Sequence, residues 1–174
     1  MINYTKQTKN FQKLRSIFEN KILSESLDKK DINNFIRIHD SGWIILRILQ
    51  ENETKIDNEI RFLLDNKSLN SSNKIINYQE EYRHISINKI IKLIKEKKEN
   101  YFKIPHSQFT KQYFQWDLDS LEDYRLVEKK KIFFFWKRYK ITNKGLLFIL
   151  LLDLALKDNK DFMKTWLRPI WRNW

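Results

Sequence analysis

The chain of 174 residues has no cysteine, two glycines, two prolines and three histidines. The absence of cysteine excludes disulfides, thiolate metal sites and cysteine nucleophiles. So few glycines and prolines leave little material for tight turns, which points to helices joined by few reversals. The longest apolar run, Gly145 to Leu156, is about a dozen residues and contains Asp153. A bilayer crossing needs about 20, so this run reads as a buried helix. Residues 1–16 (MINYTKQTKNFQKLRS) have no apolar h-region and are not expected to be a secretory signal. The expected location is the cytoplasm or an organelle interior.

Catalytic signatures are missing as well. His39, His84 and His106 are scattered, with no acidic partner at ligand spacing, so no metal site is expected. There is no glycine-rich phosphate loop, nucleophile elbow or paired-carboxylate pattern. Asp119, Glu122 and Asp123 read as a solvated helix face. No cofactor is implied, and the expectation is a protein that is not an enzyme.

Positive charge is present in excess, at +12 overall. Residues 1–85 hold 14 basic and 12 acidic side chains, whereas residues 86–174 hold 20 and 10. An excess confined to one half suggests a surface facing a polyanion, most simply nucleic acid. The chain is also rich in Lys, Asn and Ile, as AT-rich coding sequence gives, so a lysine count alone says little.

Periodicity sketches a mainly α chain. Phe11, Leu14, Phe18 and Ile22 have helical spacing over 11–27. Asp31 is placed to cap a short helix carrying Phe35 and Ile38. Trp43–Leu49 reads as a central helix, and Thr54 to Asp57 resembles a capping box opening another, with Ile56, Ile60, Leu63 and Leu64 on one face. Residues 66–80 are polar and aperiodic and read as a loop. Ser86 caps an amphipathic helix with Ile87, Ile90, Ile91 and Ile94 at i, i+3, i+4, i+7, its lysines mostly off that stripe. Pro105 stops it. A short helix around Ser107–Lys111 and a longer one around Tyr113–Asp123 follow. Val127–Phe134 and Trp136–Ile141 read as strands, and Thr142 as the cap of a final helix, Lys144–Leu156.

The order of elements from Leu118 to Gly145 carries a family signal. Leu121-Glu122 and Leu126-Val127-Glu128 end a helix, a basic aromatic hairpin follows, and Tyr139-Lys-Ile141-Thr142-Asn-Lys-Gly145 opens the next helix. This resembles winged helix-turn-helix regulators of the PadR and MarR type over residues 86–157. There the helix ends Leu-Glu-x-x-Gly-Leu-Ile-Glu and the second wing strand ends Tyr-x-Leu-Thr-x-x-Gly. Arg125 stands where that pattern has glycine. The resemblance implies a winged-helix domain with a two-stranded wing (86–157), and periodicity and composition place a helical N-terminal region (1–70) and a loop or linker (71–85) before it and a Trp/Arg-rich tail (158–174) after it. The resemblance also implies double-stranded DNA binding in transcription or in plasmid or phage replication control, and a homodimer through Gly145–Leu156, with 11–27 as a further contributor.

The charge within this segment is divided. Residues 109–123 hold one Lys and four acids, whereas 129–144 hold seven basic side chains and no acid. Phosphate contacts need cations or neutral donors. Candidate contacts are therefore Lys129, Lys130, Lys131, Lys137, Arg138, Lys140 and Lys144, with Gln112 and Gln115 reading base edges. The aromatic wing (Phe134, Phe135, Trp136) and the tail (Trp166, Trp171, Trp174) are candidates for docking a protein partner. They favour a second class of function, an adaptor within a larger ribonucleoprotein or membrane-attached assembly. An organised platform for stacking bases is not evident in the sequence.

Overall fold

The computed structural model describes residues 29–66, 72–101, 110–132 and 136–158. The helix expected over 11–27, most of the short one at 107–111, the wing tip with Phe134 and Phe135, and the tail with Trp166, Trp171 and Trp174 lie outside the described residues. The rest is mainly helical. In chain order it runs α1 (Lys29–Arg37), α2 (Asp40–Asp65), α3 (Ser72–Tyr82), β1 (Ile85–Ser86), α4 (Ile87–Tyr101), α5 (Lys111–Asp123), β2 (Val127–Ile132), β3 (Trp136–Ile141) and α6 (Asn143–Asp158). Among the described residues no helix is long and apolar enough to cross a membrane.

Helix α2 is the hub and packs on α4, α5, α6 and β3. Its first half is apolar almost all round, and Trp43, Ile44, Ile45, Leu46, Ile48 and Leu49 are all buried, as suits a helix enclosed by neighbours. Phe35 from α1 meets Trp43 edge-on at 4.8 Å and Phe148 of α6 at 5.5 Å. Two helices were expected here, divided near Thr54. One continuous helix is found, and Thr54 donates its hydroxyl to Gln50 O one turn back rather than capping. No Gly or Pro interrupts 43–65, so nothing stops propagation. Asp31 lies in the first turn of α1, buried and ion-paired with Lys144 of α6.

Much of the expected loop at 66–80 is helical, as α3. Its apolar stripe is weak because polar links dock it on α2. Tyr78 donates to Glu59, Arg83 just past its end pairs with Glu53 (2.9 Å) and Asp57 (2.5 Å), and Asn52 donates to the carbonyls of Tyr82 and Arg83. Hydrophobic periodicity does not register such a helix.

The sheet has three antiparallel strands in the order β1-β3-β2, where two were expected. The extra strand is only Ile85–Ser86, paired with Tyr139 and Arg138. Ser86 then accepts from the Lys89 N–H, as expected of the cap of α4.

A junction of α5, the sheet and α6 explains the motif that runs through them. Thr110 caps α5 by accepting from Tyr113 N–H. The helix ends with Leu126 N–H bonding Leu121 O and Arg125 N–H bonding Glu122 O. That is a Schellman termination, with Leu121 and Leu126 as its buried apolar pair. It places Arg125 in the left-handed region at φ 60°. Leu126 O then accepts from Thr142 N–H, while the Thr142 hydroxyl donates to Arg125 O and accepts from Gly145 N–H at the start of α6. Gly145 passes so close that a Cβ there would lie 2.6 Å from Ile141 Cγ1 and nearer still to Leu126 O. Leu126, Thr142 and Gly145 thus form one latch joining helix end, strand and new helix.

Helix α6 buries Phe148, Ile149, Leu151 and Leu152 in the core and leaves Leu150 exposed. Asp153, the charge inside the apolar run, forms a two-point ion pair with half-buried Arg47 of α2.

Candidate nucleic-acid interface

The register of the β2–β3 hairpin pairs Val127 with Ile141, Lys129 with Tyr139, Lys131 with Lys137, Lys130 with Arg138 and Ile132 with Trp136. Side chains alternate between faces. Val127, Tyr139 and Ile141 face the core and are buried. The opposite face carries Glu128, Lys130, Arg138 and Lys140.

Most of the candidate cations are already neutralised. Lys129 pairs with Glu122 of α5, Lys130 with Glu80 of α3 at 2.5 Å, Lys140 with Glu128 at 3.2 Å, and Lys144 with Asp31. The Lys130 and Lys140 pairs are substantially exposed and are each worth well under about 1 kcal/mol, but they occupy the charge. Arg138 donates to the backbone carbonyl of Glu81 and has no carboxylate partner among the described residues. Among the described residues Lys131 and Lys137 have no acidic partner, although they stand directly opposite each other. Like charges so placed repel.

The acidic helix resolves in the same way. Asp117 is buried, and burial pushes its carboxyl above the usual range. Asp119 accepts from Gln115, and Glu122 holds Lys129. Gln115 also donates to the Tyr139 hydroxyl at 2.9 Å, so it belongs to the α5–sheet contact and is not free for bases. The outward stripe of α5 is Gln112, Trp116, Ser120 and Asp123, with Trp116 61% exposed.

Lys137 and Arg138, with Lys89 and Lys111, line one groove of about 550 Å³. It is lined by the outer end of β3, with Trp136, Lys137 and Arg138, by the β1–α4 junction with Lys89, and by Lys111 at the start of α5. Glu81 and Tyr82 complete the rim, and Glu81 is the only acid lining it among the described residues. Lys89 and Lys111 are exposed and, like Lys137, have no acidic partner among the described residues. The first turn of α4 contains no acid, so the positive end of its dipole is not offset there.

His84 lines this groove at 2% exposure, and neither ring nitrogen makes a hydrogen bond of full geometry. Its Nε2 lies 3.5 Å from Glu128 Oε1. Burial lowers its pKa and Lys140 lowers it further, while Glu128 and a hydrogen bond to the Glu80 backbone oppose both.

The structure therefore brings Lys137 and Arg138 together with Trp136. It ties up Gln115, Lys129, Lys130, Lys140 and Lys144, and leaves Gln112 and Lys131 exposed nearby. Sequence reasoning missed Lys89, Lys111, Tyr82 and His84. Lys89 was visible as a lysine off the apolar stripe of α4, but nothing local linked the four to β3. No protein-family model, curated protein or solved structure matches this chain.

Proposed function

We propose that this chain is a winged-helix nucleic-acid-binding protein that works by occupying a site, in transcription or in plasmid or phage replication control. Helix α2, strand β1, helices α4 and α5, and hairpin β2–β3 come in the order a winged helix requires, with α3 inserted between α2 and β1 and with β3 between β1 and β2. The observation that carries the reading is the sorting of charge. Four wing-region cations are paired with acids, while Lys89, Lys111, Lys137 and Arg138 line one groove and have no acidic partner among the described residues. A phosphate chain laid there relieves the Lys131–Lys137 repulsion and meets the positive end of α4.

Fluorescence anisotropy with a labelled 20-base-pair duplex tests this. Four phosphate contacts predict a slope of about −3 to −4 in log affinity against log salt. Lys89→Glu with Lys137→Glu lowers affinity at least about tenfold. A flat salt response, or a double variant that binds like the parent, refutes the reading.

A second reading has its own observation. Trp116 stands 61% exposed at the centre of α5 beside Ser120 and Asp123. An aromatic anchor with an acidic rim suits a protein partner in a larger assembly. A second copy of this chain would find Leu150 exposed on α6.

A further inference from the structure

We propose that the groove between β3 and the β1–α4 junction takes an unpaired nucleotide, so that single-stranded nucleic acid is the preferred ligand of this protein. The inference rests on the nucleic-acid reading above and narrows its ligand class.

The cations alone do not separate a duplex from a single strand, since both present phosphates. The aromatic side chains do. Tyr82 ends α3 and Trp136 begins β3, so two elements distant in sequence place aromatic rings on the rim of one basic groove. Trp136 is 68% exposed and Tyr82 45%, the Tyr82 ring also lying against Tyr78 with centroids 4.5 Å apart. Exposed rings of this size carry a hydration cost that a stacked base removes. Duplex DNA offers only base edges in its grooves, because the base faces are stacked on their neighbours. A ring reaches a base face only where the base is unpaired.

The size of the groove fits the same ligand. The groove volume of about 550 Å³ lies within the range of pockets that enclose one small ligand. The outward face of α5 complements this, since with Trp116 and Asp123 it is a poor major-groove reader.

The test compares labelled 12-nucleotide single strands, DNA and RNA, with the matching duplex, using the full chain and anisotropy. At least one single strand is expected to bind about tenfold tighter than the duplex. Trp136→Ala and Tyr82→Ala each weaken single-strand binding about tenfold and leave duplex binding within about twofold. Trp136→Phe retains most of the affinity, because a ring remains to stack. Trp136 is exposed, so its variants should fold, and matching thermal melts check this. Duplex binding equal to or tighter than both single strands overturns the proposal, as does a Trp136→Ala variant that binds single strands like the parent. Absence of binding to all three ligands ends the nucleic-acid reading itself, a distinct outcome.

Discussion

Replacing Arg125 with glycine should stabilise this protein. Arg125 is the only described residue other than glycine with positive φ, at 60°. It sits where α5 ends, with its own N–H on Glu122 O and the next N–H on Leu121 O. A residue with a Cβ pays about 1–2 kcal/mol to occupy that region. Glycine removes the cost but brings a more flexible unfolded chain, which returns about 0.5–1 kcal/mol. The Arg125 side chain is exposed and has no ionic partner among the described residues, so little is lost with it. The carbonyl that accepts from Thr142 is backbone and remains. The net gain is about 0.5–1 kcal/mol, or a rise in Tm of about 1–4 °C for a chain of this size. Thermal unfolding followed by circular dichroism measures it. Arg125→Ala is the control, since alanine keeps the Cβ and should gain nothing. If Arg125→Gly lowers Tm, or Arg125→Ala raises it as much, the left-handed termination of α5 is wrong.

Two further variants probe the latch and the buried histidine. Gly145→Ala lies within the first turn of α6, where helix propensity alone predicts a gain of up to about 1 kcal/mol. The clash with Leu126 O and Ile141 should instead cost about 2–4 kcal/mol, measured by urea unfolding, so the sign alone decides. His84 has a folded pKa below its unfolded value of 6.5. As pH falls below about 6.5 the unfolded chain takes up a proton that the folded chain resists, so this contribution is complete above that pH and is lost towards the folded pKa. Tm should therefore fall less between pH 7 and 5 in His84→Gln than in the parent. Glu53, raised by burial, works in the opposite direction in both proteins and cancels in the difference; equal slopes would remove the role given to His84.

How much of this was legible in the sequence depended on the range of the interactions. The Ile87–Ile94 stripe, the Thr142 cap and the strand pair from Val127 to Ile141 are local patterns, and they appear where expected. Helix α3 escaped because Tyr78, Arg83 and Asn52 hold it through polar contacts with α2, which leave no apolar period. Strand β1 escaped because two residues form no pattern; its pairing depends on Tyr139, far along the chain. The division near Thr54 was misplaced because a capping-box composition also serves mid-helix, where the threonine hydroxyl reaches back one turn.

The electrostatics carried the same lesson to the candidate site. Counted along the sequence, residues 129–144 form a block of seven cations and 109–123 an acidic block. In space each largely cancels. Glu122 of the acidic helix holds Lys129, and Glu80, fifty residues before it in the chain, holds Lys130. Asp31, which a window reading treats as a helix cap, holds Lys144. Lys131 is left on β2, and a set drawn from α4, α5 and β3 lines the groove: Lys89, Lys111, Lys137 and Arg138. No window contains all four. A charge that has its acid beside it must break that pair before it contacts phosphate, and so offers little net attraction. Cations with no acid break no ion pair when phosphate arrives. The groove, and not the wing as a whole, is therefore where a polyanion gains most, and the rings of Tyr82 and Trp136 on its rim give it a means of selecting among polyanions.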